Sequence, residues 1–230
     1  MARTRKDESV TVSATERMRD SERTRADILA VATEEFATNG YGGARVDEIA
    51  ARTRTTKRMI YYYFGGKEQL YLAVLERAYA EIRAAERTVD VDQLDPVAAI
   101  RRLAEVTFDH HEAHPAFIKL VGVENAQQAQ HMSHVARLVD LNSSAVDLLS
   151  NALQRGQHDG TFRSDVDALD VHMMISAFCF FRVANRHTFG ALFDRDLLDP
   201  ASREHYRSML GEMVIGYLKS SPRPPRPGSP

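Results

Sequence analysis

The residues best equipped for chemistry lie between positions 45 and 67. Arg45, Thr56, Lys57, Arg58, Tyr61, Tyr62, Tyr63 and Lys67 combine cations, a hydroxyl and three phenols in a short stretch. Such side chains donate to phosphate oxygens and base edges. Helical phasing would present them outward. Ile60 and Phe64 stand four apart and should share one inward face with Ile49 and Phe36. From Arg45 to Lys67 there are six basic residues against two acidic ones, a local +4 in a chain whose formal net charge is -2. The two acids, Asp47 and Glu48, open a helix whose dipole they favour. That local excess is an electrostatic footprint for DNA. The competing reading is a solvated amphipathic helix. Three consecutive tyrosines argue against it, because solvent contact alone calls for no aromatic rings.

The elements that must position these residues have the layout of a helix-turn-helix. A helix over 46–52 meets a turn at 53–55, and a second helix follows over 56–64, closed by Gly65-Gly66. In such a pair the second helix lies in the major groove while the first braces it. Ahead of them, Thr24 with Asp27 reads as a capping box opening the first helix. Ile28, Ala32 and Phe36 form its apolar stripe, and Asn39-Gly40 ends it. A fourth helix runs from about 67 to 87. Lys67 sits at its start, where free backbone N–H groups and an ammonium would together grip a phosphate.

The stretch from Ile28 to Leu70, ILAVATEEFATNGYGGARVDEIAARTRTTKRMIYYYFGGKEQL, closely resembles the DNA-binding domain of the TetR/AcrR family of repressors. Ala32 and Phe36, the Gly40-Tyr41 exit, Val46 with Ile49-Ala50, and Ile60 to Phe64 followed by Lys67-Glu68 and Leu70 carry the likeness. The resemblance implies an all-α protein that dimerises through its last two long helices and holds a ligand pocket in the larger domain. By position, Arg45, Thr56, Lys57, Tyr61, Tyr62, Tyr63 and Lys67 match the family's usual DNA contacts. Arg54 and Arg58 stand where the family usually has glycine. Arg54 must therefore accept a positive φ or the turn must adjust, and Arg58 could be an added contact. The larger domain more weakly resembles the pyrimidine-utilisation branch, through His114-Pro115, a helix near Glu124 and the aromatic helix over 171–189.

Residues 1–20 lack apolar periodicity and read as a disordered arm, and 220–230 carry five prolines and read as a disordered tail. Between them, 21–67 is the expected helix-turn-helix domain and 68–219 the expected ligand-sensing and dimerisation domain. The latter should hold helices near 95–114, 116–123, 127–157, 165–189 and 200–219. Asp95-Pro96 and Asp199-Pro200 each pair a capping acid with proline at the first helical position, and Asp159-Gly160 marks a turn. An apolar pocket among the middle helices would draw on Phe108, Phe117, Leu120, Val121, Met132, Leu138, Phe162, Met174, Phe178 and Phe181. His111, Asn125, Gln128 and Arg182 would be its polar anchors. Any single one of these also fits a plain core role. For dimerisation, Tyr206, Met209, Leu210, Met213, Val214 and Tyr217 recur at helical spacing, and two helices from each subunit could form a four-helix interface.

Other classes have weaker support. His110, His111, His114, His131 and His134 lie close in sequence, yet His111-Glu-Ala-His114 is one residue short of the zinc-protease spacing. A histidine metal site therefore ranks below surface or capping roles. No nucleophile elbow or glycine-rich phosphate loop appears, and the lone Cys179 lies in an apolar helix without a base. No enzyme, metal or cofactor is implied. With 43% apolar residues, no signal-peptide pattern and no long apolar run, a soluble cytoplasmic protein is expected. Its expected partners are double-stranded operator DNA, a small-molecule effector and a second copy of the chain, with no membrane. Repression and activation both remain compatible with these residues.

Overall fold

The computed structural model describes residues 14–132 and 136–221. The described part forms ten α-helices and divides into two compact units, one up to Ala73 and one from Val74 onward.

In the first unit, α1 (Ala14–Gly43) and α2 (Val46–Arg52) lead into α3 (Lys57–Phe64) and the opening turns of α4 (Lys67–Glu86). Its core is a small apolar knot of Ile28, Phe36, Ile49, Ile60, Leu70 and Tyr71, none measurably exposed. Burying side chains of this size stabilises by roughly 1.5–3 kcal/mol each. Phe36 and Tyr71 meet edge-to-face at 4.8 Å, and Tyr41 lies 5.2 Å from Tyr71. The expected opening at Thr24 is corrected, because Thr24 is interior to α1 and its Oγ1 donates back to the Asp20 carbonyl at 2.8 Å. Polar residues at 14–23 continue the helix without contributing an apolar stripe, so periodicity could not reveal them. Of the expected arm, residues 1–13 lie outside the described residues. Gly40, at φ 66° and ψ 175°, breaks the helix at the stop expected from Asn39-Gly40.

In the second unit, α5 (Pro96–Ala113) is the central rod. It packs against α6 (Pro115–Ala126), α7 (Ala136–His158), α8 (Ala168–Ala184) and α10 (Arg203–Lys219). A short α9 (Arg186–Phe193) follows α8. Ile100, Leu103, Phe108, Leu153, Val171, Ile175, Leu210 and Val214 form the heart of this core. The capping acids act as their sequence suggests: Asp95 accepts from the Ala98 N–H at 2.9 Å, and Asp199 from the Ala201 N–H at 3.1 Å. The expected helix over 127–157 is corrected to α7, since 127–132 form turns in which Gln128 and Ala129 take φ of 57° and 55°. The expected 165–189 helix is likewise two, α8 and α9, broken at Asn185. Of the expected tail, 222–230 lie outside the described residues.

Along one side of α5, Glu105, Asp109 and Glu112 are spaced three and four apart and face arginines of α8 and α10. Arg207 reaches Glu105 at 2.9 Å, Arg203 reaches Asp109 at 2.6 Å, and Arg182 reaches Glu112 at 3.1 Å. Arg182 is itself buried, donates to the Leu197 carbonyl at 2.8 Å and lies 4.1 Å over the Phe108 ring. This pairing ties three helices together around the central rod.

Candidate nucleic-acid interface and ligand cavity

Helix α3 is anchored on one face and open on the others. Thr56 caps it, its hydroxyl accepting from the Met59 N–H at 3.2 Å, and Gly65 at φ 86° closes it. Ile60 and Phe64 are buried, while Lys57, Arg58, Tyr61 and Tyr62 are exposed, Tyr62 by 77%. Lys57 is held 3.2 Å from Asp47 across the turn. Tyr63 is only half-buried and its oxygen accepts from the Ser21 hydroxyl of α1 at 3.2 Å. Arg45 is exposed just ahead of α2, its backbone N–H fixed by Glu35 Oε1 at 3.1 Å. Lys67 stands at the first position of α4, with Nζ 4.9 Å from the centre of the Tyr41 ring and 3.5 Å from the Gly42 carbonyl. In the turn between α2 and α3, Arg54 takes φ 52°, the left-handed conformation that glycine would adopt without a Cβ penalty. The turn is thus kept and the arginine accommodates it.

The second unit holds a cavity of about 170 Å³. Its apolar wall comes from Phe117 and Val121 of α6, Phe180 of α8 and the ring of Tyr79 on α4. Tyr79 meets Phe117 edge-to-face at 5.2 Å, and His111 does so at 5.5 Å. Polar groups reach in from four helices: Arg83, His111, Asn142, and the pair His172 and Ser176. Burial pushes the His111 imidazole down to about 4, and it holds His172 below its usual range as well, so both are neutral at pH 7. A second, wider hollow of about 490 Å³ lies beside α6, α8 and α9, bordered by Glu112, Lys119, Arg186 and His187. Its Glu112 is already held by Arg182 and Arg203.

Comparison with known proteins decides the family. The model of bacterial regulatory proteins of the tetR family matches residues 28–74, and that of the tetracyclin repressor-like C-terminal domain matches 96–214. The chain belongs to the TetR family. It is 33% identical over 203 residues to the HTH-type transcriptional repressor NicS of Pseudomonas putida, covering 88% of this chain and 96% of that protein. It is also 33% identical over 167 residues to the repressor SCO4008 of Streptomyces coelicolor, covering 69% and 78%. The fold is that of a tetR-family regulatory protein from Rhodococcus RHA1, at a TM-score of 0.70 and 17% identity over 87% of this chain and 99% of that one. The protein is accordingly a DNA-binding transcriptional regulator.

Within this TetR-family chain, the expected ligand residues divide. His111, Phe117 and Val121 come together around the smaller cavity. Asn125 and Gln128 are exposed at and beyond the end of α6. Met174 and Phe178 pack against the core, and Phe181 is 47% exposed. Arg182 is taken up by Glu112 and the Leu197 carbonyl. Tyr79, Arg83, Asn142, His172, Ser176 and Phe180 were not singled out from sequence. A signal existed, since Tyr79 and Arg83 are four apart on α4, and 172, 176 and 180 repeat every four on α8. His131 is bound to Glu124 Oε1 at 2.9 Å, and His134 lies outside the described residues. Cys179 is buried, and that burial pushes its thiol up to about 12, the opposite of what a nucleophile needs.

Proposed function

We propose that the protein is a ligand-responsive transcriptional repressor that acts in the cytoplasm as a homodimer on a palindromic operator. One observation carries this reading: α3 buries Ile60 and Phe64 and leaves Lys57, Arg58, Tyr61 and Tyr62 outward, as a groove-reading helix must. Arg45, Thr56, Tyr63 and Lys67 complete the contact set at its margins. Both relatives named above are called repressors, which favours repression over activation.

Support for a dimer comes from an exposed apolar ridge. Leu169, Met173 and Phe181 lie on one face of α8, at 60%, 63% and 47% exposure, and Met213 and Tyr217 on α10 are exposed too. The other apolar residues read from the last helix, Tyr206, Leu210 and Val214, are spent on the chain's own core. A ridge of this kind is uneconomical in a monomer. A two-fold pair would bring two α3 helices to half-sites one helical turn apart, roughly 34 Å.

The smaller cavity is the effector site in this reading. Helix α4 runs unbroken from Lys67 to Glu86, and Tyr79 and Arg83 on it line the cavity. A ligand that shifts those residues acts on the same rod whose first residue contacts DNA, and a conformer with lower operator affinity gains population. Selection from random duplexes tests the proposal. Enrichment of inverted half-sites with centres about ten base pairs apart is expected. Enrichment of single, unpaired half-sites would overturn the dimeric operator. Lower target expression on deleting the gene would replace repression with activation.

A further inference from the structure

Arg83 is the feature of the cavity that its own fold leaves incomplete. The residue is 3% exposed and lines the cavity. Its Nη1 stands 2.8 Å from Glu86 Oε2, yet outside hydrogen-bond alignment, and neither Nε nor Nη1 has a hydrogen-bond partner among the described residues. Glu86 turns its other oxygen to Thr107 Oγ1 at 3.4 Å. A buried guanidinium with unused N–H groups is costly unless something completes it. Its planar fork matches a carboxylate in two parallel hydrogen bonds. No other cation lines this cavity among the described residues, because His111 and His172 are held neutral.

Size and wall chemistry narrow the ligand further. A cavity of about 150 Å³ accepts benzene, so about 170 Å³ accepts one ring with a small substituent. Phe117, Phe180 and Tyr79 offer ring faces and edges for it. Asn142 spends its amide N–H on the Leu138 carbonyl at 2.7 Å, leaving its oxygen for a ring donor.

We propose that this cavity binds a single-ring carboxylate, its ring among Phe117, Phe180 and Tyr79 and its carboxylate on the N–H edge of Arg83. The inference rests on reading the cavity as the effector site, but it can fail separately. Calorimetric titration of the full chain with benzoate and with benzamide, its neutral counterpart of equal shape, is the test. Benzoate should bind at least tenfold more tightly. In Arg83→Met that preference should vanish while benzamide affinity stays within about threefold. Glu86→Gln, which removes the competing carboxylate without changing shape, should tighten benzoate several-fold and leave benzamide unchanged. That second variant keeps the test decisive should Arg83→Met fail to fold. Equal affinity for the two probes, no benzoate binding at millimolar concentration, or a preference that survives Arg83→Met would each overturn the proposal. Operator binding separates the two readings. Benzoate that binds by calorimetry but leaves operator affinity unchanged supports the carboxylate site and defeats the effector role. Benzamide that releases the operator as well as benzoate does supports the effector role and defeats the carboxylate.

Discussion

Replacing Lys67 with glutamine should change how operator binding depends on salt, and by an amount that follows from the proposed dimer. Among the described residues, Lys67 Nζ meets the Tyr41 ring face and the Gly42 carbonyl. Losing the cation–π contact costs the fold about 0.5–1 kcal/mol, so the head should remain folded. The residue sits beside the free N–H groups at the start of α4, where the first helical bond is Leu70 N–H to the Gly66 carbonyl at 3.0 Å. Each phosphate neutralised contributes about 0.9 to the slope of log affinity against log salt. A dimer carries the residue twice, so Lys67→Gln should flatten the slope by about 1.8. Between about 50 and 200 mM salt, the wild-type advantage should then shrink about twelvefold. Tyr62→Phe serves as the contrast. It removes a hydroxyl but no charge, so affinity falls while the slope stays. Filter-binding titrations at four salt concentrations, on operator and on unrelated duplex, read both quantities. A Lys67→Gln slope within about 0.5 of wild type would refute the phosphate assignment. A change near half the expected size would refute the dimer instead.

Three further outcomes follow from other parts of the chain. Met213→Asp places a charge on the exposed apolar ridge without touching the core, so it should give a folded monomer by sedimentation with operator affinity lowered at least a hundredfold; a stable dimer would move the interface elsewhere. His110 is buried, and burial, with the charges of His114, His111 and Arg83, pushes it down to about 3, so the unfolded chain takes up a proton near pH 6.5 that the folded chain refuses. Stability is therefore fully present above about pH 6.5 and declines as pH falls, by about 1–2 kcal/mol between pH 6.5 and 5 for this residue. His110→Leu should lose that part of the decline in urea unfolding at fixed protein concentration, and an unchanged pH dependence would count against it. Gly156→Ala would ordinarily strengthen a helix by about 1 kcal/mol, but a Cβ there would stand 2.2 Å from the Phe162 ring, so thermal unfolding should show a loss of about 1–3 kcal/mol.

The DNA head was legible because everything it needs is local. Ile60 and Phe64 mark the inward face of α3 by spacing alone, Thr56 and Gly65 mark its ends, and the outward charges need only be the complement. The capping acids before Pro96 and Pro200 were legible for the same reason. The opening of α1 was not, because residues 14–23 are helical without an apolar stripe, and a capping pattern at Thr24 inside a helix looks the same as one at its start. The cavity was half legible. His111, Phe117 and Val121 follow from an apolar, turn-bounded stretch, whereas Arg83 and His172 stand 89 residues apart in sequence, on helices that meet only in the fold. Arginine in an amphipathic helix reads as surface, and nothing in the composition of α4 distinguishes Arg83, at 3% exposure, from Arg77, whose side chain is 39% exposed. Arg182 misled in the opposite direction, since its apolar neighbours suggested a pocket while Glu112 and the Leu197 carbonyl had already claimed it.

The unfinished pairing of Arg83 also bears on how strongly a ligand could switch the protein. A hundredfold loss of operator affinity needs about 2.7 kcal/mol of difference in ligand binding between the DNA-competent and DNA-incompetent forms. Ring burial alone is a poor source of that difference, because apolar contacts are non-directional and tolerate small shifts of α4. A two-bond fork to a carboxylate is directional, and hydrogen bonds to a charged group contribute about 1.5–3 kcal/mol where geometry is met. The turn of α4 that carries Arg83 would therefore be pulled to whichever position aligns both N–H groups, and the form that supplies that position would gain population. On this argument, a neutral ring should occupy the cavity with little effect on DNA binding even at saturation. Arg83→Lys, which keeps the charge but loses the fork, should bind benzoate yet release operator far less completely than wild type. Full release by the lysine variant at saturating benzoate would show that charge, not alignment, moves the helix.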